Sequence, residues 1–249
     1  LRERNIPFYP GWVAQEALGR PTVNGARISS IEGTVTREVA CDVLVASAGL
    51  TPVTDPLSLI QSRFEFDQQT GYFLPVAYPA GVFPAGRLWG LDHAGSIEAS
   101  GRLAGLQAAS FCARDCGQEL EAAGQAMDAL PGPGSGSKLV IAPVSGRKSF
   151  VCFDEDVSVK NIKQALAQGF DVPELIKRFS SAGTGPGQGG IPGHNLPLLV
   201  AKHKAEPFSS VRPTTVRPPL CPVPLVTYAG STHEMTKLTP IHDIQVREG

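Results

Sequence analysis

The chain has 249 residues, a formal net charge of -1, 42% hydrophobic and 18% charged residues. That size suits one large or two small domains, and charge so close to balance gives no electrostatic ground for binding nucleic acid or an anionic membrane. No apolar run approaches the roughly 20 residues of a membrane-spanning helix, and the five cysteines (Cys41, Cys112, Cys116, Cys152 and Cys221) form an odd, scattered set that suits a reducing, cytoplasmic setting rather than a disulfide framework.

The first residues, LRERNIPFYP, read as the interior of a fold, and the last, TPIHDIQVREG, as the start of a new polar–apolar alternation, so a fragment of a longer polypeptide is expected. Between them, residues 1–130 alternate strand-like and helix-like patterns, which predicts an α/β class. The apolar run from Val39 to Ala46 predicts a strand buried on both faces of a parallel sheet. FEFDQQTGYFLPV predicts a hairpin, with Phe64 and Phe66 alternating, a turn through Gly71, and a return strand from Tyr72 to Val76. GVFPAGRLWG predicts another buried strand with a glycine turn. From Ser96 to about Met127 the Ala-, Leu- and Gln-rich sequence predicts helix, with Gly101, Ala104, Gly105 and Ala108 forming a face of small residues.

LPGPGSGSK at 130–138 has linker composition. Beyond it, Ser158 is positioned to cap a helix that presents Val159, Ile162 and Leu166 on one face and ends at Gly169. Pro173 opens a second helix, with Glu174 in its first turn and Lys177 and Arg178 near its end, as the helix dipole prefers. Residues 180–224 are dense in Gly and Pro without helical or strand periodicity, and predict an extended connector packed on other surfaces.

CDVLVASAGLTPVTD (41–55) ends its apolar run at Ala48 and Gly49, where backbone can approach a ligand at the carboxyl end of a sheet. This stretch, followed by the hairpin and by GVFPAGRLWG…ASGRLAGLQAA, resembles the flavin- and pyridine-nucleotide-dependent disulfide-reductase-like superfamily. There the later strand usually ends in Gly-Asp, whose aspartate holds the flavin ribityl chain; here it ends Ala85–Gly86–Arg87, and the nearest carboxylate is Asp92. FVCFDEDVS (150–158) and GPGQGGIPG (185–193) resemble the two halves of a two-iron cluster module with Cys-x-Cys and Cys-x4-Cys ligands. The four ligand positions fall on Cys152, Asp154, Gly187 and Pro192, so three thiolates are replaced, and no iron–sulfur cluster is expected.

The order of these segments, with TTVRPPLCPV and LTPIHDIQVREG, resembles the alpha-subunit family of heterotetrameric sarcosine oxidase over nearly the whole chain. The resemblance implies part of a two-dinucleotide-binding, Rossmann-like fold over 1–130, a linker at 131–148, a cluster-free helical module at 149–195, an extended Pro-rich arm at 196–236, and the first strand of an aminomethyltransferase-like folate domain at 237–249. It also implies NAD in the nucleotide domain near Ala48, Gly49, Leu50, Thr51 and Gly86, and FMN at a subunit interface near Thr214, Thr215 and Arg217. The assembly would oxidatively demethylate sarcosine or a related N-methyl amino acid. Its partners are small gamma and delta subunits and an FAD-bearing beta subunit, with tetrahydrofolate capturing the one-carbon unit. The chain alone is expected to be inactive. The alternatives are a subunit of an opine, proline or cyanide-forming dehydrogenase, whose relatives usually keep the cluster cysteines, and a non-catalytic scaffold.

Candidates outside that resemblance have plainer readings. Cys112 and Cys116, one helical turn apart, lack further ligands nearby and suit an ordinary helix face. His194, His203 and His233 lack metal-ligand spacing, and His242–Asp243 suits a domain junction better than a general base. Arg212 and Arg217, among prolines and threonines, suit a flavin phosphate, a partner carboxylate or solvent equally. No residue stands out as a catalytic acid, base or nucleophile.

Overall fold

The computed structural model describes residues 6–47, 49–134, 149–229 and 238–248. It is mixed α and β, and every strand pairing among the described residues is antiparallel. Strands β1 (Trp12–Leu18), β2 (Gly25–Ser30) and β3 (Thr36–Ala40) form a three-stranded meander. Arg27 on the middle strand pairs with Glu16 and Glu38 on its two neighbours, an opposite-charge ladder that fixes register on the exposed face. Two residues further along the same strand, Ser29 is fully buried and accepts a hydrogen bond from Gln15 Nε2 at 2.6 Å.

The buried parallel strand expected at Val39–Ala46 is not formed. Strand β3 ends at Ala40, and residues 41–47 continue without strand pairing, with Val43 69% and Val45 86% exposed. β-branched residues favour extended backbone, but a strand needs a paired neighbour to satisfy its amides, and residues 42–47 pair with no described strand.

Helix α1 (Asp55–Leu59) carries Pro56 in its first turn, and its Leu57 is buried. The expected hairpin forms as β4 (Arg63–Asp67) and β5 (Tyr72–Ala77), with Gly71 at φ 75° in the turn. Asp67 fastens that turn by accepting from the Thr70 hydroxyl at 2.7 Å and from the Gln69 and Thr70 amides, which holds its carboxyl below its ordinary pKa.

GVFPAGRLWG is not a strand. Pro84 has no amide to donate to a ladder, and Gly86 and Gly90 adopt φ of 64° and 69°, so the segment turns through one 3-10 helix at Gly86–Trp89. The long helix expected next divides into α2 (Ala94–Phe111) and α3 (Gly117–Asp128), which pack as a helical hairpin around Ala104 and Ala123. Ser96, fully buried, closes it by donating to the Pro131 carbonyl at 2.8 Å. Cys112 and Cys116 stand at the end of one helix and the start of the other. Gly101 and Gly105 of the small-residue face have open space before them.

The second half is built on a short ladder of β6 (Phe150–Cys152) and β7 (Val157–Ser158), followed by α4 (Val159–Ala167) and α5 (Pro173–Ser180). Ser158 caps α4 in a capping box with Asn161. The extended connector expected from Ser180 onward is interrupted by α6 (Gly190–Lys204), fifteen residues with Pro197 inside it, so the boundary drawn at 195/196 cuts through a helix. An interior proline costs roughly 3 kcal/mol of helix stability. That cost is offset by burial, since Leu196, Pro197, Leu198, Val200 and Ala201 all lie in the core. Because α6 is buried around most of its circumference, it lacks the single apolar stripe by which helices are recognised.

This core is shared. Phe73 of the first-half hairpin and Val211 of the arm belong to one buried cluster with Val151, Ile162, Ile176, Leu196 and Val200, and Phe66 meets Phe73 and Phe208 edge-on at 5.3 and 5.4 Å. The arm therefore runs over its own chain. Val216 N–H reaches Ser58 Oγ at 3.5 Å, and Lys177 Nζ donates to the Thr215 carbonyl at 2.8 Å. Two short helices follow, α7 (Leu225–Ala229) and α8 (His242–Glu248), the latter where a first strand was expected. Most of the 131–148 linker, residues 230–236 of the arm and residue 237 lie outside the described residues. No described helix is long and apolar enough to cross a membrane.

Candidate functional site

A cavity of about 510 Å³ opens between three parts of the chain. One wall is the loop Thr51–Thr54 with α1 and residues 61–64, the second is the N-terminus of α6 at Gly189, Gly190, Gly193 and His194, and the third is the arm from Arg212 to Val216. The loop is held from behind, since Val53 N–H donates to the Arg87 carbonyl at 3.1 Å.

The lining is rich in hydroxyls, contributed by Thr51, Thr54, Ser58, Ser62, Thr214 and Thr215. Ser62 Oγ is buried with no hydrogen-bond partner among the described residues, an unmet demand at the cavity wall. Arg63 and Arg212 add positive charge, and α6 points its N-terminal end, the positive end of its dipole, into the same space. Among the described residues Arg212 and Arg217 make no ion pair, whereas Arg63 pairs with Glu65 at 3.5 Å. His194 packs edge-on to Phe73 and Tyr72, and burial lowers its pKa, favouring the neutral imidazole. Burial moves the Asp55 carboxyl the other way, above its ordinary value.

Of the residues singled out from sequence, Thr51 meets Thr214 and Thr215 in this cavity from 163 positions away (214 − 51). Arg217 stands one residue past the lining and is exposed. Gly49 and Leu50 lie on the exposed approach to the loop, and Ala48 is outside the described residues. Gly86 is elsewhere, buried, its amide donating to Ser100 Oγ at 2.8 Å. Sequence reasoning missed His194, Ser58 and Ser62. The Gly-rich 185–193 stretch is the available signal for the α6 end, but by itself it reads only as a lost cluster half.

The four cluster-ligand positions also come together. Gly187 N–H donates to Asp154 Oδ2 at 2.7 Å, Gly183 N–H donates to Cys152 Sγ at 3.4 Å, and Pro192 lies against Gly183. These residues offer one buried thiol and one carboxylate already engaged by an amide, which does not fit a four-thiolate cluster. Among the described residues no group of three or more His, Cys, Asp or Glu could hold a metal ion, and all five cysteines are free.

The fold has a counterpart among solved structures. The crystal structure of L-proline dehydrogenase from P. horikoshii superposes on 85% of this chain and 43% of that one, with a TM-score of 0.69 at 18% sequence identity. Residues 146–231 match the sarcosine oxidase A3 domain, which unites the helical module and the arm. The alpha subunit of sarcosine oxidase from Rhizobium meliloti (strain 1021) is 29% identical over 95% of this chain and 24% of that protein, and its counterpart from Corynebacterium sp. (strain P-1) is 28% identical over 84% and 22%. An opine oxidase component from Agrobacterium tumefaciens (strain Ach5) is 25% identical over 82% of this chain and 44% of that protein. The chain is thus a relative of the alpha subunits of sarcosine oxidase and spans about a quarter of their length.

Proposed function

We propose that this chain is part of the alpha subunit of a cytoplasmic, sarcosine-oxidase-like complex, an oxidoreductase acting on the CH–NH group of sarcosine or a related N-methyl amino acid. The observation that carries the reading is the cavity itself, in which hydroxyls, two arginines and a helix N-terminus from three distant segments converge. That chemistry suits the phosphate of a nucleotide or flavin, which takes charge-assisted hydrogen bonds and the helix dipole.

FMN at an interface with an FAD-bearing beta subunit is the cofactor proposed for this cavity. Thr214, Thr215 and Arg212 would hold it, with Arg217 at the rim and Thr51, which was expected at the NAD site, on the facing wall. The bound flavin would supply electron transfer from the amine-oxidising partner. The chain's own part is to orient the cofactor and, through neutral His194 and the aromatic rings behind it, to exclude water from one side. NAD is proposed near Gly49, Leu50 and Gly86, with Arg87 replacing the usual flavin-binding aspartate. Small gamma and delta subunits and a tetrahydrofolate-binding domain complete the proposal, without an iron–sulfur cluster.

Acid extraction of the full-length assembly should release FMN, FAD and NAD, with NAD alone from alpha expressed without partners. Recovery of FAD from isolated alpha would overturn the NAD assignment. Arg217→Ala should weaken FMN retention or assembly with the beta partner and spare NAD. A second reading, a component of an opine-oxidising enzyme, is favoured by the opine oxidase relatives. Turnover of opines with no turnover of sarcosine by the purified complex would select it.

A further inference from the structure

The residues standing at the lost cluster positions do more than fill space. Cys152 and Asp154 are two apart in the chain, and both reach the loop leading into α6, Cys152 to the amide of Gly183 and Asp154 to that of Gly187. The fit is close. A Cβ on Gly185 would come within 2.5 Å of Asp154 Cβ and 2.9 Å of Glu155 Oε1, and one on Gly187 would overlap the Asp154 carboxylate. The loop also closes on itself. Gly183 and Gly189 have φ of 81° and 79°, and a Cβ on Gly183 would lie 3.2 Å from Gly189 Cα and 3.3 Å from Pro192 Cγ. Immediately after it come Gly189, Gly190, Gly193 and His194, which wall the cavity.

We propose that Cys152 and Asp154 form a metal-free clasp that fixes the 183–189 loop and so sets the N-terminus of α6 at the cavity wall. The clasp stands on the geometry alone, while its consequence for cofactor binding rests on the reading of the cavity given above. A carboxylate accepting one amide hydrogen bond needs no metal and no thiol, and the glycines at 185 and 187 are the complement that lets it approach. Asp154 is a positioning residue, acting through the loop.

The test is hydrogen exchange of the 183–190 amides in the full chain, wild type against Asp154→Ala and Asp154→Asn, with bound-nucleotide content measured on the same samples. Asp154→Ala should exchange about tenfold faster across Gly187–Gly190, the size of one charge-assisted hydrogen bond. Asp154→Asn keeps an acceptor oxygen and should restore most of the protection, whereas Asp154→Leu, of similar shape but without an acceptor, should not, which separates the hydrogen bond from packing. Gly187→Ala, which forces the carboxylate aside, should open the same loop and serves if Asp154→Ala does not fold. Unchanged exchange in both Asp154→Ala and Gly187→Ala overturns the clasp, as does stoichiometric iron–sulfide absorbance after anaerobic reconstitution of the wild type. Faster exchange with unchanged nucleotide content upholds the clasp and counts instead against the cofactor reading of the cavity.

Discussion

Two apolar runs of similar length have opposite fates in this chain. LPLLVA at 196–201 contains a proline, follows a glycine-rich stretch, and is nevertheless a helix with Leu196 at 1% and Val200 and Ala201 at 0% exposure. VLVAS at 43–47 has the β-branched composition of a buried strand, yet forms no strand and leaves Val45 86% exposed. Local preference points the wrong way in both. What separates them is cover: 196–201 is enclosed by α4, α5, β6 and the arm around one core, whereas 43–47 pairs with no described strand and stays exposed. Burial of a few large side chains outweighs a proline's cost, and no β propensity substitutes for a missing neighbour.

Truncation is the strongest way to break the comparison. Leu196→Ala should destabilise the chain by about 3 kcal/mol, read as a fall in thermal or denaturant midpoint, because it leaves a cavity in a closed core. A change under about 1 kcal/mol would mean that α6 is less firmly held than its burial indicates.

At the cavity the expected effect is smaller. Arg212 lines it and Arg217 stands at its rim, so under the flavin proposal Arg212→Ala should weaken flavin retention about tenfold and Arg217→Ala less, as for losing one charge-assisted contact rather than a peripheral one. Titration of released FMN in the two variants checks the order, and a larger effect at Arg217 would move the phosphate site outward.

The pH dependence supplies a third, gentler probe of the same wall. Burial depresses the His194 pKa from the ordinary 6.5. The unfolded chain therefore binds this proton more readily, so stability is fully present above about pH 6.5 and declines as pH falls through that value towards the depressed one. His194→Gln should flatten the unfolding midpoint between pH 6.5 and the acid limb without shifting it much at about pH 8.

The smallest change belongs to the other run. Val45→Ser should alter stability by no more than about 0.5 kcal/mol in this chain. A loss well above that would show that another surface covers residues 43–47.

Much was legible where a single residue type meets a local demand. Ser158 at a helix start, Pro173 at the next, and alternating phenylalanines around Gly71 each identify their element without help from the rest of the chain. The substitutions at 154, 187 and 192 were likewise readable, because a thiolate set is a matter of residue identity. The relationship to sarcosine oxidase alpha subunits was readable from segment order.

The rest was decided by tertiary contact. The sequence alone could not disclose that Thr51 and Thr214 share a cavity, that Asp154 would meet the Gly187 amide, or that the arm would cross its own α1 and α5. Nor could it show that Pro197 would sit inside a helix while GVFPAGRLWG would refuse to be a strand. Caps, turns and ligand sets are determined within a few residues, where the backbone's own hydrogen-bonding needs and steric limits operate. Burial and convergence depend on which distant segments arrive together, and there the free energy of enclosing Leu196, Ile176 and Val200 exceeds any local preference of the residues that carry them.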